Sequence, residues 1–201
     1  AHGHISWLIK QGVDYIFYPC VPYERKEFDE AGNHYNCPIV TSYGENIKNN
    51  VEELADHNIM YQNPFVSFES EKIITNERVK YLGKQNGIDA AEIRKASHIA
   101  YEELTKTRED IRRKGEEVLQ WMKDHDSLGI VLAGRPYHID PEINHGIPEL
   151  IASYGLTVLT EDSLPNPEED QHLRIVDQWV YNSRLYSAAR FVRNRDDLEL
   201  L

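Results

Sequence analysis

Val13-Asp-Tyr-Ile-Phe-Tyr-Pro-Cys20 and Asn36-Cys37-Pro-Ile-Val-Thr-Ser-Tyr43 bracket a polar excursion from Tyr23 to Asn36. The first run is β-branched and aromatic, the composition of a buried strand, and it stops at Pro19-Cys20. The second predicts a short strand over Ile39–Thr41. The excursion carries mostly charged and amide residues without period and reads as a solvated loop. Both cysteines of the chain therefore stand where an apolar run meets a loop. In open α/β sheets such junctions are where ligands bind, because polar loops there rest on a rigid apolar scaffold.

Outward from this stretch, helix and strand signals alternate. Ile5, Leu8 and Ile9 have helical spacing before Gly12. Ser42 to Glu45 fits a capping box for a helix over about 44–56, carried by Ile47, Val51 and Leu54. Pro64–Phe68 reads as a strand and Glu71 to about Gln85 as a helix closed by Gly87. Asp89 caps a stripe of Ile93, Ala96, Ala100, Leu104, Ile111, Val118 and Met122, a helix reaching about His125 and roughly 55 Å long. Then come a strand at Leu128–Ala133, a helix after Asp140-Pro141 that Pro148 kinks or starts anew, and a strand at Leu156–Thr160. This βαβ unit calls for a right-handed crossover. An aromatic helix from about Leu173 to Val192 follows, with Trp179, Tyr186 and Phe191 as core. The pattern predicts an α/β fold of two Rossmann-like lobes with parallel sheets, joined or braced by one long helix. The lobes are 1–88 and 127–201, both incomplete, and the helix is 89–126. The missing initiator Met and the ending Asp-Asp-Leu-Glu-Leu-Leu201 suggest a piece of a larger polypeptide.

Composition removes several function classes. Lys plus Arg number 22 against 34 Asp plus Glu, a net charge of −12 that repels nucleic acid and anionic membranes. No window approaches the roughly 20 apolar residues of a membrane span, and no signal segment opens the chain, so a cytoplasmic protein is expected. Two cysteines make no disulfide framework. Soft thiolates select zinc or iron–sulfur clusters, and a cubane cluster needs three or four of them. The plain alternative is two buried thiols packed as small hydrophobes. A zinc set of Cys20, Cys37, His34 and His2 or His4 is conceivable by residue type, although His2 and His4 would leave a helix on different sides.

Gly134-Arg-Pro-Tyr-His138 lies between a strand and a helix, where α/β folds bind phosphate. Arg135 suits a carboxylate or phosphate ligand or an internal ion pair, and Asn144-His145-Gly146 is similarly ambiguous. Glu24, Asp140 and Glu142 are available carboxylates, and no Ser/His/Asp arrangement can be argued.

Three stretches resemble one family: Gly12 to Cys20, Asn33 to Val40, and Leu132 to Gly146. They are similar to the domain of unknown function in the large CoA-substrate-specific enzyme activases, described as activators of 2-hydroxyglutaryl-CoA dehydratase. That domain is related in turn to the 2-hydroxyacyl-CoA dehydratase and benzoyl-CoA reductase superfamily. The resemblance implies an iron–sulfur (4Fe-4S) electron-transfer module of anaerobic metabolism. Its expected partners are an ATPase activator domain in the same polypeptide, which alone holds ATP, and an acyl-CoA dehydratase-type protein. Cys20 and Cys37 match the family's cysteine positions as metal ligands, and Arg135 and His138, at the strand end, are expected to be cofactor-binding. They are expected to face one cleft, free of iron. Two further family cysteines, one just upstream of the His-Gly-His stretch and one beyond Leu201, are absent here, so the chain alone should bind a cluster weakly or not at all, and no catalytic acid or base is implied. A docking domain with structural cysteines is the alternative reading, and a zinc-binding structural domain the next.

Overall fold

A computed structural model describes residues 1–28, 31–165 and 177–201. The chain divides into two compact units, Ala1–Lys26 with Asn33–Ile99 and Glu27–Gly32 with Ala100–Leu201.

In the first unit the run after Gly12 forms β1 (Tyr15–Phe17), preceded by α1 (His2–Lys10). Next come α2 (Pro38–Asn50), α3 (Glu53–Asp56) and β2 (Met60–Gln62). β1 and β2 are parallel, with Tyr15 opposite Met60 and Phe17 opposite Gln62. The pairing persists past the regular strands, where Cys20 bridges Phe65 and exchanges backbone bonds with Pro64 O and Val66 N–H. Pro19 and Pro64 lack N–H groups, so the ladder is broken there and the expected strand at Pro64–Phe68 is an extended continuation of β2. Ile5, Ile9, Ile16, Ile47, Val51 and Leu54 make the core. They alternate or recur as a strand and amphipathic helices require.

The expected strand at Ile39–Thr41 is the first turn of α2. Pro38 occupies the start of that helix with Cys37 as N-cap, a position for which proline is pre-organised. Ile39 and Val40 are exposed while Gly44 and Ile47 turn inward. The capping box at Ser42 is also overturned: its hydroxyl lies inside the helix and donates to Pro38 O. The helix expected over 44–56 breaks at extended Val51 into α2 and α3. The two ends of the excursion are paired and not simply solvated: Tyr23 and Tyr35 form an antiparallel bridge flanked by bonds from Asn36 N–H to Pro22 O and Glu24 N–H to His34 O.

α4 (Glu71–Arg78) passes through a π turn, Val79–Gly83, into α5 (Lys84–Asn86), and Gly87 ends the run in the left-handed region. α6 spans Ala90–His125 as expected, with Asp89 Oδ1 accepting from the Ala91 and Glu92 N–H groups.

The second unit contains β3 (Gly129–Leu132), α7 (Pro141–Asn144), α8 (Ile147–Ser153), β4 (Thr157–Thr160), α9 (Val180–Arg193) and β5 (Leu198–Leu200). Its three strands are parallel in the order β4-β3-β5. The single helix expected after Asp140 is two, because His145 and Gly146 both adopt left-handed backbone and Pro148 sits in the first turn of α8. Of the expected helix over 173–192, the part before 177 lies outside the described residues. Leu119, Met122, Val131, Leu159, Leu164, Ala188, Val192 and Leu198 form the core. Gly115 lets the turn after β4 sit against α6: a Cβ there would lie 1.8 Å from Ser163 O. The chain is thus α/β with two parallel sheets and one long helix, and no helix among the described residues is long and apolar enough to cross a membrane.

Candidate functional site

Within the first unit the two cysteines flank an antiparallel backbone pairing. Cys20 bridges Phe65 in β2's extension, and the pairing goes on to Phe68 N–H, which donates to Tyr23 O. The antiparallel ladder starts two residues after Cys20 at Pro22, whose carbonyl accepts from Asn36 N–H, and Cys37 follows as the N-cap of α2. The Thr41 hydroxyl stands 3.4 Å from both Val21 O and Cys37 O, tying the first turn of α2 to the residue after Cys20.

The two thiols have different surroundings. Cys20 is fully buried and Cys37 half-buried. A Cβ on Gly44 would come 2.9 Å from Cys20 Sγ and 2.8 Å from Tyr18 O, so glycine alone makes room for the sulfur. Tyr18, Tyr43 and Tyr61 surround this spot: burial, then Tyr43 and Cys20, push the Tyr18 phenol above its usual range, and burial, then Tyr18, Cys20 and Glu45, raise Tyr61. Tyr61 donates to Gly44 O at 3.0 Å, and Tyr43 meets His2 Nδ1 at 2.8 Å.

No three His, Cys, Asp or Glu side chains converge as a metal site would require, among the described residues. The zinc set is therefore not assembled there: His2 is engaged by Tyr43, and His34 Nε2 stands 3.5 Å from Glu69 Oε1 without a hydrogen bond. A cubane cluster is also not accommodated by these residues alone. Two thiols are fewer than it takes, and Gly44 leaves space at Cys20 for a sulfur and little more.

Arg135 and His138 belong to the second unit, at the carboxyl end of β3. Arg135 N–H donates to His138 Nδ1 at 3.0 Å, which leaves Nε2 as the proton-bearing nitrogen of the neutral ring. Gly134 is needed for this fold-back, since a Cβ would meet that Nδ1 at 2.6 Å. The Arg135 guanidinium lies 5.5 Å from the Tyr181 ring centroid, and Arg184 approaches the same ring at 5.3 Å. Of the carboxylates available from sequence, Asp140 caps α7 by accepting from Glu142 N–H, and Glu24 accepts from the Asn36 amide.

The strongest electrostatic feature was not anticipated. Glu161 and Asp162 follow β4 directly, and Glu161 accepts from Arg184 Nε at 3.1 Å with its second oxygen 2.9 Å from Nη2. Asp162 and Glu27 stand 3.8 Å and 4.0 Å from the same guanidinium, and Glu27 also lies 3.5 Å from Arg108. A cavity of about 100 Å³ opens on this cluster, with Arg112, Phe28 and Leu164 in its wall. Burial pushes Glu161 up to about 7 against the pull of Arg184, and Asp162 and Glu27 add to the rise. Burial lowers Arg184, but Glu161, Glu27 and Asp162 together hold it above its usual value. A carboxylate just past a parallel strand is a signal that sequence offers; its partner on a helix more than twenty residues later is not.

Residues 1–164 match the family described as CoA enzyme activase uncharacterised domain. No curated protein and no solved structure matches the chain.

Proposed function

We propose, on the premise that the chain belongs to the CoA enzyme activase uncharacterised domain family, that it is an iron–sulfur-binding electron-transfer module. It serves an ATP-dependent activase of 2-hydroxyacyl-CoA dehydratase-type systems in the cytoplasm. Cys20 and Cys37 are two ligands of a cluster that needs further sulfur ligands from outside these residues. ATP belongs to a separate activator domain of the same polypeptide, and an acyl-CoA dehydratase-type protein receives the electrons. Arg135 and His138 are proposed as cofactor-binding from their place at the carboxyl end of β3.

The observation that supports this reading is the backbone register. The parallel pairing at Cys20 and the antiparallel pairing that stops at Asn36, just before the Cys37 N-cap of α2, set both cysteines on either side of one backbone pairing, and the Thr41 hydroxyl stands 3.4 Å from both Val21 O and Cys37 O. The test is anaerobic loading of the whole polypeptide with iron and sulfide, read by iron content and electron paramagnetic resonance. Cys20→Ser and Cys37→Ser are each expected to lose the cluster signal. Equal iron and equal spectra in wild type and both variants overturn the proposal.

A docking role is the second reading. Ile147, Leu150 and Tyr154 recur at helical spacing along α8 and its C-cap, and they and Ile143 of α7 are exposed, a pattern that marks contact surfaces. Capture of a dehydratase-type partner that survives loss of both thiols but not Leu150→Glu supports it over the redox reading.

A further inference from the structure

Two helix faces and one turn enclose the cavity of the second unit. Arg108, Ile111 and Arg112 stand three and four apart on α6, and Arg184 and Ser187 three apart on α9, so each set shares one helix face. Glu161, Asp162 and Leu164 come just after β4, in the position beyond a parallel strand where open α/β sheets hold ligands. Gly115 lets that turn approach α6, since a Cβ there would meet Ser163 O.

The charges in this wall are unevenly matched. Arg184 is taken by Glu161 and Asp162, while Glu27 lies 3.5 Å from Arg108 and 4.0 Å from Arg184. Arg112 makes no ion pair with any of the described residues, and the Ser187 hydroxyl has no hydrogen-bond partner among them. Two donors thus line the space without an acceptor. The three carboxylates and three guanidiniums of the wall cancel only when Glu161 is ionised. Burial pushes Glu161 up to about 7, so in mildly acid solution the wall carries an excess of positive charge.

The volume of about 100 Å³ limits the occupant. A cavity of about 150 Å³ takes benzene, so this one suits a somewhat smaller molecule and excludes a nucleotide. Phe28, Ile111 and Leu164 give the space an apolar side. An anion with a short apolar tail matches both halves of the wall. We propose that this cavity is a binding site for a short-chain carboxylate, held by the Arg112 guanidinium and the Ser187 hydroxyl with its carbon tail against Phe28, Ile111 and Leu164. The site belongs to the second unit alone and does not depend on the two thiols binding iron.

Titration of the ¹⁵N-labelled chain with sodium propionate at pH 6 tests the assignment, with sodium chloride holding the ionic strength constant. The Leu164 and Ser187 amide signals are expected to shift saturably with propionate. Propionamide, which has the same shape without the charge, should leave them unmoved. Arg112→Met should weaken binding about tenfold, the size of a hydrogen bond to a charged group, and Ser187→Ala about threefold. Arg112 is half-buried and makes no ion pair among the described residues, so its loss leaves the fold intact, and the Ser187 variant reads the same site independently. Lack of saturable shifts, equal shifts with propionamide, tighter binding of inorganic phosphate than of propionate, or parental affinity in Arg112→Met overturns the proposal. Iron loading is not measured in this titration, so the redox reading can fail without affecting it.

Discussion

Replacing Gly115 by alanine sets two opposing effects against each other in the middle of α6. Helix propensity alone favours alanine by about 1 kcal/mol. Packing opposes it, because the new Cβ would lie 1.8 Å from Ser163 O and 2.7 Å from the carbonyl carbon. Non-bonded carbon and oxygen settle above about 3 Å, so the helix and the turn must separate by roughly 1 Å. The obstacle is backbone and cannot rotate away. The turn is fixed by Thr160 N–H on Ser163 Oγ and by the Ser163 hydroxyl on Thr160 O at 2.8 Å, and the next residue, Leu164, is core. Overpacking of this kind costs about 1–3 kcal/mol, and partial withdrawal of Leu164 about 1 kcal/mol more. The net expectation is a loss of about 1–3 kcal/mol after the propensity gain is subtracted. Urea denaturation followed by Trp121 and Trp179 fluorescence in a Trp7→Phe background should show a lower midpoint at unchanged slope. A midpoint equal to or above that of the parent protein would refute the reasoning, since propensity would then have outweighed a contact that the turn does not need.

Gly44→Ala should also destabilise, by about 1–2 kcal/mol in the same assay, because its Cβ meets Tyr18 O and Cys20 Sγ and only the sulfur can give way. A maleimide is expected to label Cys37 in the folded protein and Cys20 only in denaturant, given the full burial of Cys20, as mass spectrometry of the two peptides would show. Glu161 makes stability fall with rising pH: its folded value of about 7 lies above the ordinary 4.5. Its contribution is complete below about 4.5, is lost as pH rises to about 7, and amounts to about 3 kcal/mol. Glu161→Gln should flatten that slope in urea melts between pH 4.5 and 7.5, and an unchanged slope would assign it to other groups.

Much of the fold was legible because it is written in local pattern. α6 runs from the residue after its Asp89 cap to His125, since a long apolar stripe without proline has one stable periodicity. The strands at Tyr15, Gly129 and Thr157 were legible as short β-branched runs closed by turn residues. The reading failed where two local signals competed. Ile39 and Val40 have strand propensity, but Pro38 starts a helix and the core contact that decides the matter is made by Gly44 and Ile47, which carry opposite signals about order. Likewise Ser42-Tyr-Gly-Glu45 has the form of a cap, yet the preceding proline had already begun the helix one turn earlier. β-propensity measures fit to a half-buried pleated surface, and at Ile39 there is no such surface.

The candidate sites divide along the same line. Cys20 and Cys37 could be singled out because thiols are chemically distinctive and their flanking prolines mark element ends. What joins them, the ladder through Tyr23 and Tyr35, is a pairing between two polar stems, and polar stems without alternation carry no register in sequence. The Arg184 cluster was hidden for a stronger reason. Its members come from the loop at Glu27, the turn after β4 and the middle of α9, and each looks alone like an ordinary surface charge. Only Glu161 had a positional hint, at the carboxyl end of a parallel strand. Burial turns that hint into chemistry: the same carboxyl group in water would be ionised throughout the neutral range, whereas burial, against the pull of Arg184, raises it to about 7. Charge identity can therefore be read from sequence, but charge state depends on the non-local packing that encloses the group.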